Sequence, residues 1–143
     1  MFKRCAARHR NQSATLAPRV RRTLAAHNEH MIILLMGVSG AGKTAVGEQL
    51  ARTLGWTFLD ADDFHPAANI EKMRAGIALT DMDRWPWLMH INERLLTLQE
   101  QASNAVLACS ALKLSYRERL ARGLSDMRVV FLQGNVELIQ QRL

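Results

Sequence analysis

The chain reads as an α/β domain built on a parallel sheet with helices on both faces. Three observations lead there. Residues 31–36 form an unbroken apolar run, MIILLM, of the length and character of a strand buried on both sides. A glycine-rich turn and then a helical apolar pattern follow it directly. From there to residue 143, short strand-like runs alternate with helical stretches, the order that produces parallel strands joined by crossover helices.

Each element has its own signal. After the first strand, residues 43–54 are expected to be a helix, with Val46, Leu50 and Leu54 on one face at i, i+4, i+8 and Gly55 as its C-terminal stop. Residues 57–59 read as a second short strand. Residues 66–75 read as a short helix closed by Gly76. Pro86 suits the first turn of the next helix, with Asp83 near its N-terminus and Trp87, Ile91, Leu95 and Leu98 as its buried stripe. Residues 105–109 make a third strand. Ser115 and Glu118 have capping-box spacing for a helix through Ala121, ended by Gly123. Residues 128–132 make a fourth strand, and a last helix starts near Asn135.

Composition narrows the function. With 48% hydrophobic and 22% charged residues, the chain has the make-up of a globular domain. No apolar run reaches the roughly 20 residues of a membrane-spanning helix. The net charge of +6 sits entirely in residues 1–30, which hold seven Lys and Arg against one acid, Glu29. Residues 31–143 are balanced, so the charge count gives the globular part no nucleic-acid face. The basic segment has three readings: a transit peptide, a disordered tail that touches nucleic acid or anionic surfaces, or an extension that is not translated, with Met31 as the start. The last is preferred. Cys5 and Cys109 lie far apart and show no metal spacing, which fits a reducing cytoplasm.

Residues 37–44, GVSGAGKT, match G-x-x-x-x-G-K-[ST] without a mismatch. Gly37, Val38, Ser39, Gly40, Ala41 and Gly42 let backbone N–H groups converge on phosphate oxygens. The helix that follows adds its positive N-terminal end. Lys43 reaches the outer phosphates and the Thr44 hydroxyl can ligate Mg²⁺. The motif names a nucleotide triphosphate donor but not an acceptor. For the acceptor side, Asp60, Asp62 and Asp63 cluster at the exit of the second strand, the end of a parallel sheet where ligands bind. Asp62 is the preferred base or Mg²⁺-linked carboxylate; Asp63 reads as a turn residue. Residues 69–88 then mix cations, acids and tryptophans, a mixture that suits a polar or anionic acceptor.

Taken together, GVSGAGKT, D-x-D-x-x-HP, NIEKM-x-x-G-x-x-L-x-D-x-DR-x-PWL and CSALK-x-x-YR-x-x-L resemble the gluconokinase family of the thermoresistant type, across residues 31–143. The resemblance implies a P-loop NTPase three-layer sandwich of the nucleoside-monophosphate-kinase kind, with strand order 2-3-1-4-5 and a mobile lid. It implies transfer of a phosphoryl group from ATP to D-gluconate with Mg²⁺, in the cytoplasm, by a protein that is commonly a homodimer; the competing readings are another small-molecule P-loop kinase, for shikimate or a nucleotide, and a truncated remnant that binds ATP without turnover. Carried over by position, Lys43 and Asp62 are the catalytic pair, and Thr44 and Asp62 the metal-side residues. His65, Lys72, Asp83, Arg84, Lys113 and Arg117 are candidates for the acceptor pocket or for phosphate charge. Cys109 reads as a small buried residue and Tyr116 as a packing one. In the family the chain continues past the position of Leu143 into the lid and a fifth strand, so both are expected to be missing here. The domain division expected is a basic extension over 1–30 and an incomplete kinase domain over 31–143.

Overall fold

The computed structural model describes residues 30–134 and 136–141. The basic segment therefore lies, except for His30, outside the described residues. The elements run β1 (Met31–Met36), α1 (Lys43–Leu54), β2 (Thr57–Asp60), a 3₁₀ turn (Ala61–Phe64), α2 (Ala67–Arg74), α3 (Asp81–Glu100), β3 (Ala105–Ala108), α4 (Leu114–Ala121), β4 (Asp126–Phe131) and α5 (Val136–Gln140). The four described strands form one parallel sheet in the order β2-β3-β1-β4. That is the expected order as far as four strands carry it. β2 and β4 are the edge strands of this sheet, and β4 leaves Val129, Val130 and Phe131 exposed. No helix of the described residues is long and apolar enough to cross a membrane.

Strand alternation sends side chains to two faces. On one face, Ile32, Leu34 and Leu107 pack under Leu88, Ile91 and Leu95 of α3 and Leu120 of α4, all fully buried. Each such side chain stabilises the fold by about 1.5–3 kcal/mol relative to an exposed one. On the other face Leu35 and Val106 meet Ala51 of α1, with Leu50 and Phe58 beside them.

Three local expectations are corrected. Val46 and Leu54 are exposed, and α1 buries Gly47 and Ala51 instead. The helix rests so close to the sheet that only small residues fit beneath it. A Cβ at Gly47 would lie 2.6 Å from Cε2 of Phe58. Pro86 is not in the first turn of α3 but well inside it, where its ring replaces the N–H that would bond one turn back. The helix begins earlier because Thr80 and Asp83 form the capping box: Asp83 N–H donates to Thr80 Oγ1 at 3.3 Å, and Thr80 N–H donates to Asp83 Oδ2 at 2.9 Å. For α4, Lys113 is the N-cap residue and makes no side-chain cap; Ser115 already lies within the helix.

Candidate active site

The phosphate loop links β1 to α1. Gly37, Gly40 and Gly42 all have positive φ, at 150°, 77° and 91°. At Gly37 a Cβ would also sit 2.7 Å from the Leu132 carbonyl oxygen, so both the backbone angle and the space there require glycine. Val38 and Ala41 frame the loop: the Val38 carbonyl accepts from Ala41 N–H at 3.2 Å and from Lys43 Nζ at 3.0 Å. A cavity of about 580 Å³ opens on the loop, lined by Ser39, Gly40, Gly42, Lys43 and Thr44 on one side and by Asp60, Asp62 and Ser110 on the other. Its walls are the end of β2, the end of β3 and the N-terminus of α1, so the helix dipole and the lysine favour an anion there.

Sequence reasoning passed over Asp60 in favour of Asp62. In the fold, Asp60 is the carboxylate bound to Thr44, whose Oγ1 donates to Asp60 Oδ2 at 2.8 Å. The other Asp60 oxygen accepts from Asp62 N–H at 3.1 Å and so caps the 3₁₀ turn. One carboxylate therefore fixes both the first residue after the loop lysine and the backbone that presents Asp62. The spacing D-x-D at a strand exit was the available signal for it.

A second cavity, of about 380 Å³, adjoins the first. Asp62 and Ser110 line both. Its remaining wall includes His65, Arg84, Trp87 and Tyr116 and the loop that links α2 to α3. Trp87 is nearly buried and donates from Nε1 to the Ala61 carbonyl at 2.7 Å, and His65 stacks on it at 4.3 Å. Burial holds the His65 imidazole below its usual pKa, aided by Arg84 and opposed by Asp62. Asn69, the one buried polar side chain among the described residues, places the ring. Its Nδ2 donates to the Asp83 carbonyl at 2.9 Å and meets His65 Nδ1 at 3.3 Å. An amide nitrogen only donates, so Nδ1 accepts and the imidazole proton sits on Nε2.

The six acceptor-side candidates thus separate. His65 and Arg84 line the second cavity with Asp62. The other four line neither cavity. Lys72 pairs with Asp83 at 2.7 Å, and Lys72 together with the Thr80 cap holds the Asp83 carboxyl down at about 2. Lys113 reaches both carboxylate oxygens of Asp81 at 2.7 Å. Arg117 donates to the carbonyls of Ala111 and Leu112, both at 2.9 Å, and so pins the turn at Ala111, which has φ 39°. Cys109 is buried at the end of β3, and desolvation pushes its thiol up to about 12. Tyr116, read as packing, does pack, and also contributes to the cavity wall.

A family model described as shikimate kinase matches residues 39–143. The chain is 46% identical to a probable gluconokinase of Xenopus tropicalis over 79% of its own length and 67% of the relative's. It is 42% identical to the thermoresistant gluconokinase of Escherichia coli, over 82% of this chain and 67% of that one. The crystal structure of a gluconokinase from Sinorhizobium meliloti superposes with a TM-score of 0.71 at 44% identity, covering 80% of this chain and 63% of that chain. An APS kinase of Mycobacterium tuberculosis, at 20% identity and a TM-score of 0.62, shares the fold. The chain thus spans roughly two thirds, or slightly less, of the length of the relatives it matches.

Proposed function

The chain belongs to the gluconokinase family, and from that premise we propose that it transfers the γ-phosphoryl group of ATP to the terminal hydroxyl of D-gluconate, with Mg²⁺ as the accompanying cation. The observation that supports this best is the meeting of two cavities at Asp62 and Ser110. One has the loop, lysine and helix terminus of a polyphosphate site. The other has the polar wall of a small hydroxylated acceptor. A hydroxyl placed at their junction lies beside Asp62 and faces the outermost phosphate. Its oxygen forms the new bond to the γ-phosphorus, the bond to the β-phosphate oxygen breaks, and Asp62 accepts the hydroxyl proton. Lys43 and the N-terminus of α1 offset charge on the transferring group.

The residues fit Mg²⁺. Thr44 and Asp60, hydrogen-bonded to each other at the loop, would supply oxygen ligands, with Asp62 beside them, and the described residues contain no group of three His, Cys, Asp or Glu able to hold a metal on its own. That donor set suits an ion that arrives on phosphates and keeps several waters. When bound, Mg²⁺ neutralises phosphate charge. The same family resemblance supports a homodimer, a cytoplasmic site of action and a kinase domain starting at residue 31; sedimentation of the purified chain measures the first.

The test is ADP release from ATP and Mg²⁺ with gluconate, shikimate, nucleoside monophosphates or no acceptor. Gluconate-dependent release is expected, and Lys43→Ala is expected to abolish it with the far-ultraviolet circular dichroism unchanged. Release with another acceptor alone would reassign the substrate. Silence with every acceptor would overturn the proposal for this chain.

A further inference from the structure

A cavity for a sugar acid has to tell it from a neutral polyol of the same length. Resting on the acceptor reading just given, we propose that Arg84 binds the acceptor's carboxylate through its Nε and Nη2 edge, and that Tyr116 and Asp81 are the positioning residues that hold it in place.

The first support is elimination. Arg84 is the only lysine or arginine among the described residues that line the second cavity. Lys72, Lys113 and Arg117 are each engaged elsewhere. His65 also lines the cavity, but burial lowers its imidazole pKa and so disfavours its cationic form. A carboxylate brought into this space has one fixed cation to meet.

The second support is the way Arg84 is held. Its hydrogen bond to Tyr116 Oη, at 3.3 Å, uses Nη1. Its ion pair with Asp81 Oδ1, at 3.8 Å, uses Nη1 too. Nε and Nη2 have no hydrogen-bond partner among the described residues. Those two nitrogens form the side-on fork that takes a carboxylate with two parallel hydrogen bonds. The arginine is thus tethered at one nitrogen while its bidentate edge is left open.

The third support is the tether itself. Tyr116 Oη donates to Asp81 Oδ1 in a short hydrogen bond while accepting from Arg84. Lys113 locks Asp81 from the other side. Lys113 and Tyr116 hold the Asp81 carboxyl below the usual carboxylate range, so it stays ionised, accepts from both of them and pairs with Arg84. The chain Arg84–Tyr116–Asp81–Lys113 joins the first turns of α3 and α4 across the cavity rim. The guanidinium, whose side chain is 33% exposed, is thereby fixed without being closed off. This geometry also orients the acceptor: its carboxylate on Arg84, its far hydroxyl at Asp62.

Equilibrium binding tests this without turnover. The full chain is titrated with gluconate and with glucitol, which has the same carbon skeleton and no charge. Calorimetry or the emission of Trp87, which lies in the cavity wall, gives the signal. The unaltered protein should bind gluconate at least tenfold more tightly than glucitol. Arg84→Gln should weaken gluconate about 10- to 100-fold, the usual effect of losing charged hydrogen bonds, and leave glucitol unchanged. Arg84→Lys should restore part of the loss. Tyr116→Phe should cost gluconate several-fold, again sparing glucitol, which a merely structural role would not do. Equal weakening of both ligands in Arg84→Gln, or no weakening, would overturn the inference while leaving the acceptor reading intact. Failure of the unaltered protein to bind gluconate while it binds ATP would overturn both.

Discussion

Substituting Gly47 by alanine should destabilise the protein, although alanine is the better helix former. Gly47 lies in the second turn of α1, and the helix rests on the sheet at that point. A Cβ there would be 2.6 Å from Cε2 of Phe58 and 3.3 Å from Cδ1 of Leu35. The first distance is about 1 Å inside the ~3.5–4.0 Å at which carbon atoms pack. Overpacking of this kind costs about 1–3 kcal/mol. The gain in helix propensity offsets about 1 kcal/mol of that. The net expectation is a loss of about 1 kcal/mol in urea unfolding. The consequence reaches the site, because Lys43 and Thr44 are the first two residues of the same helix and Leu35 belongs to the strand that enters the loop. A helix pushed outward by about 1 Å carries the lysine with it, and misplacement on that scale can lower turnover about 100-fold. The control is Phe58→Leu. If the clash is the cause, the double variant recovers stability, with a coupling of about 1 kcal/mol in the double-mutant cycle. A Gly47→Ala protein more stable than the parent, with no coupling to Phe58, would refute the close-seating account of α1.

Three further outcomes follow from the geometry. Thr44→Val removes the hydroxyl that bonds Asp60; titration with ATP should then show no tightening by Mg²⁺, whereas the parent shows it, and stability should stay within about 0.5 kcal/mol because the site is exposed. Asp83 has its carboxyl at about 2, below the unfolded value near 3.9. Its stabilising effect is therefore present above pH 4 and is lost as pH falls through about 2, so the difference between the unfolding curves of the parent and Asp83→Asn seen at pH 6 should shrink from pH 4 downward and be mostly gone by pH 2. Cys109 is buried with its thiol raised to about 12; in a Cys5→Ser background it should resist iodoacetamide at pH 8 in the native protein and react once urea unfolds it.

What the sequence revealed and what it concealed divide along a physical line. The phosphate loop was legible because its chemistry is local: eight consecutive residues set the backbone angles, the lysine and the hydroxyl, and the flanking strand and helix carry their own periodicity. The four strands were legible for the same reason, to within two residues at each end. The helix faces were less so. In α1 the largest apolar residues mark the helix as amphipathic, but the face against the sheet belongs to Gly47 and Ala51, because a helix this close to a sheet admits only small side chains. Pattern alone ranks Val46 above Gly47; packing distance reverses them. Proline at a first turn is a common signal and points to a later start of α3, while Thr80 and Asp83, six and three residues before Pro86, supply the stronger one.

The acceptor side shows the limit most clearly. Four cations near the predicted pocket, Lys72, Arg84, Lys113 and Arg117, look alike in the sequence. Which of them remains open to a substrate depends on which have partners, and the partners come from elsewhere in the chain. Lys113 and Tyr116 reach Asp81 across 32 and 35 residues. Lys72 reaches Asp83 across 11. Arg117 turns back onto carbonyls five and six residues away. Spacing along the chain carries none of this, since each pairing is decided by how α3 and α4 meet over the sheet. Arg84 stands apart because its pairings leave the bidentate edge open. On the reading proposed above, recognition of an acidic acceptor rests on tertiary pairing, whereas the phosphate loop rests on local sequence. Variants that break pairings, such as Lys113→Met, should alter acceptor choice while nucleotide binding stays as it was.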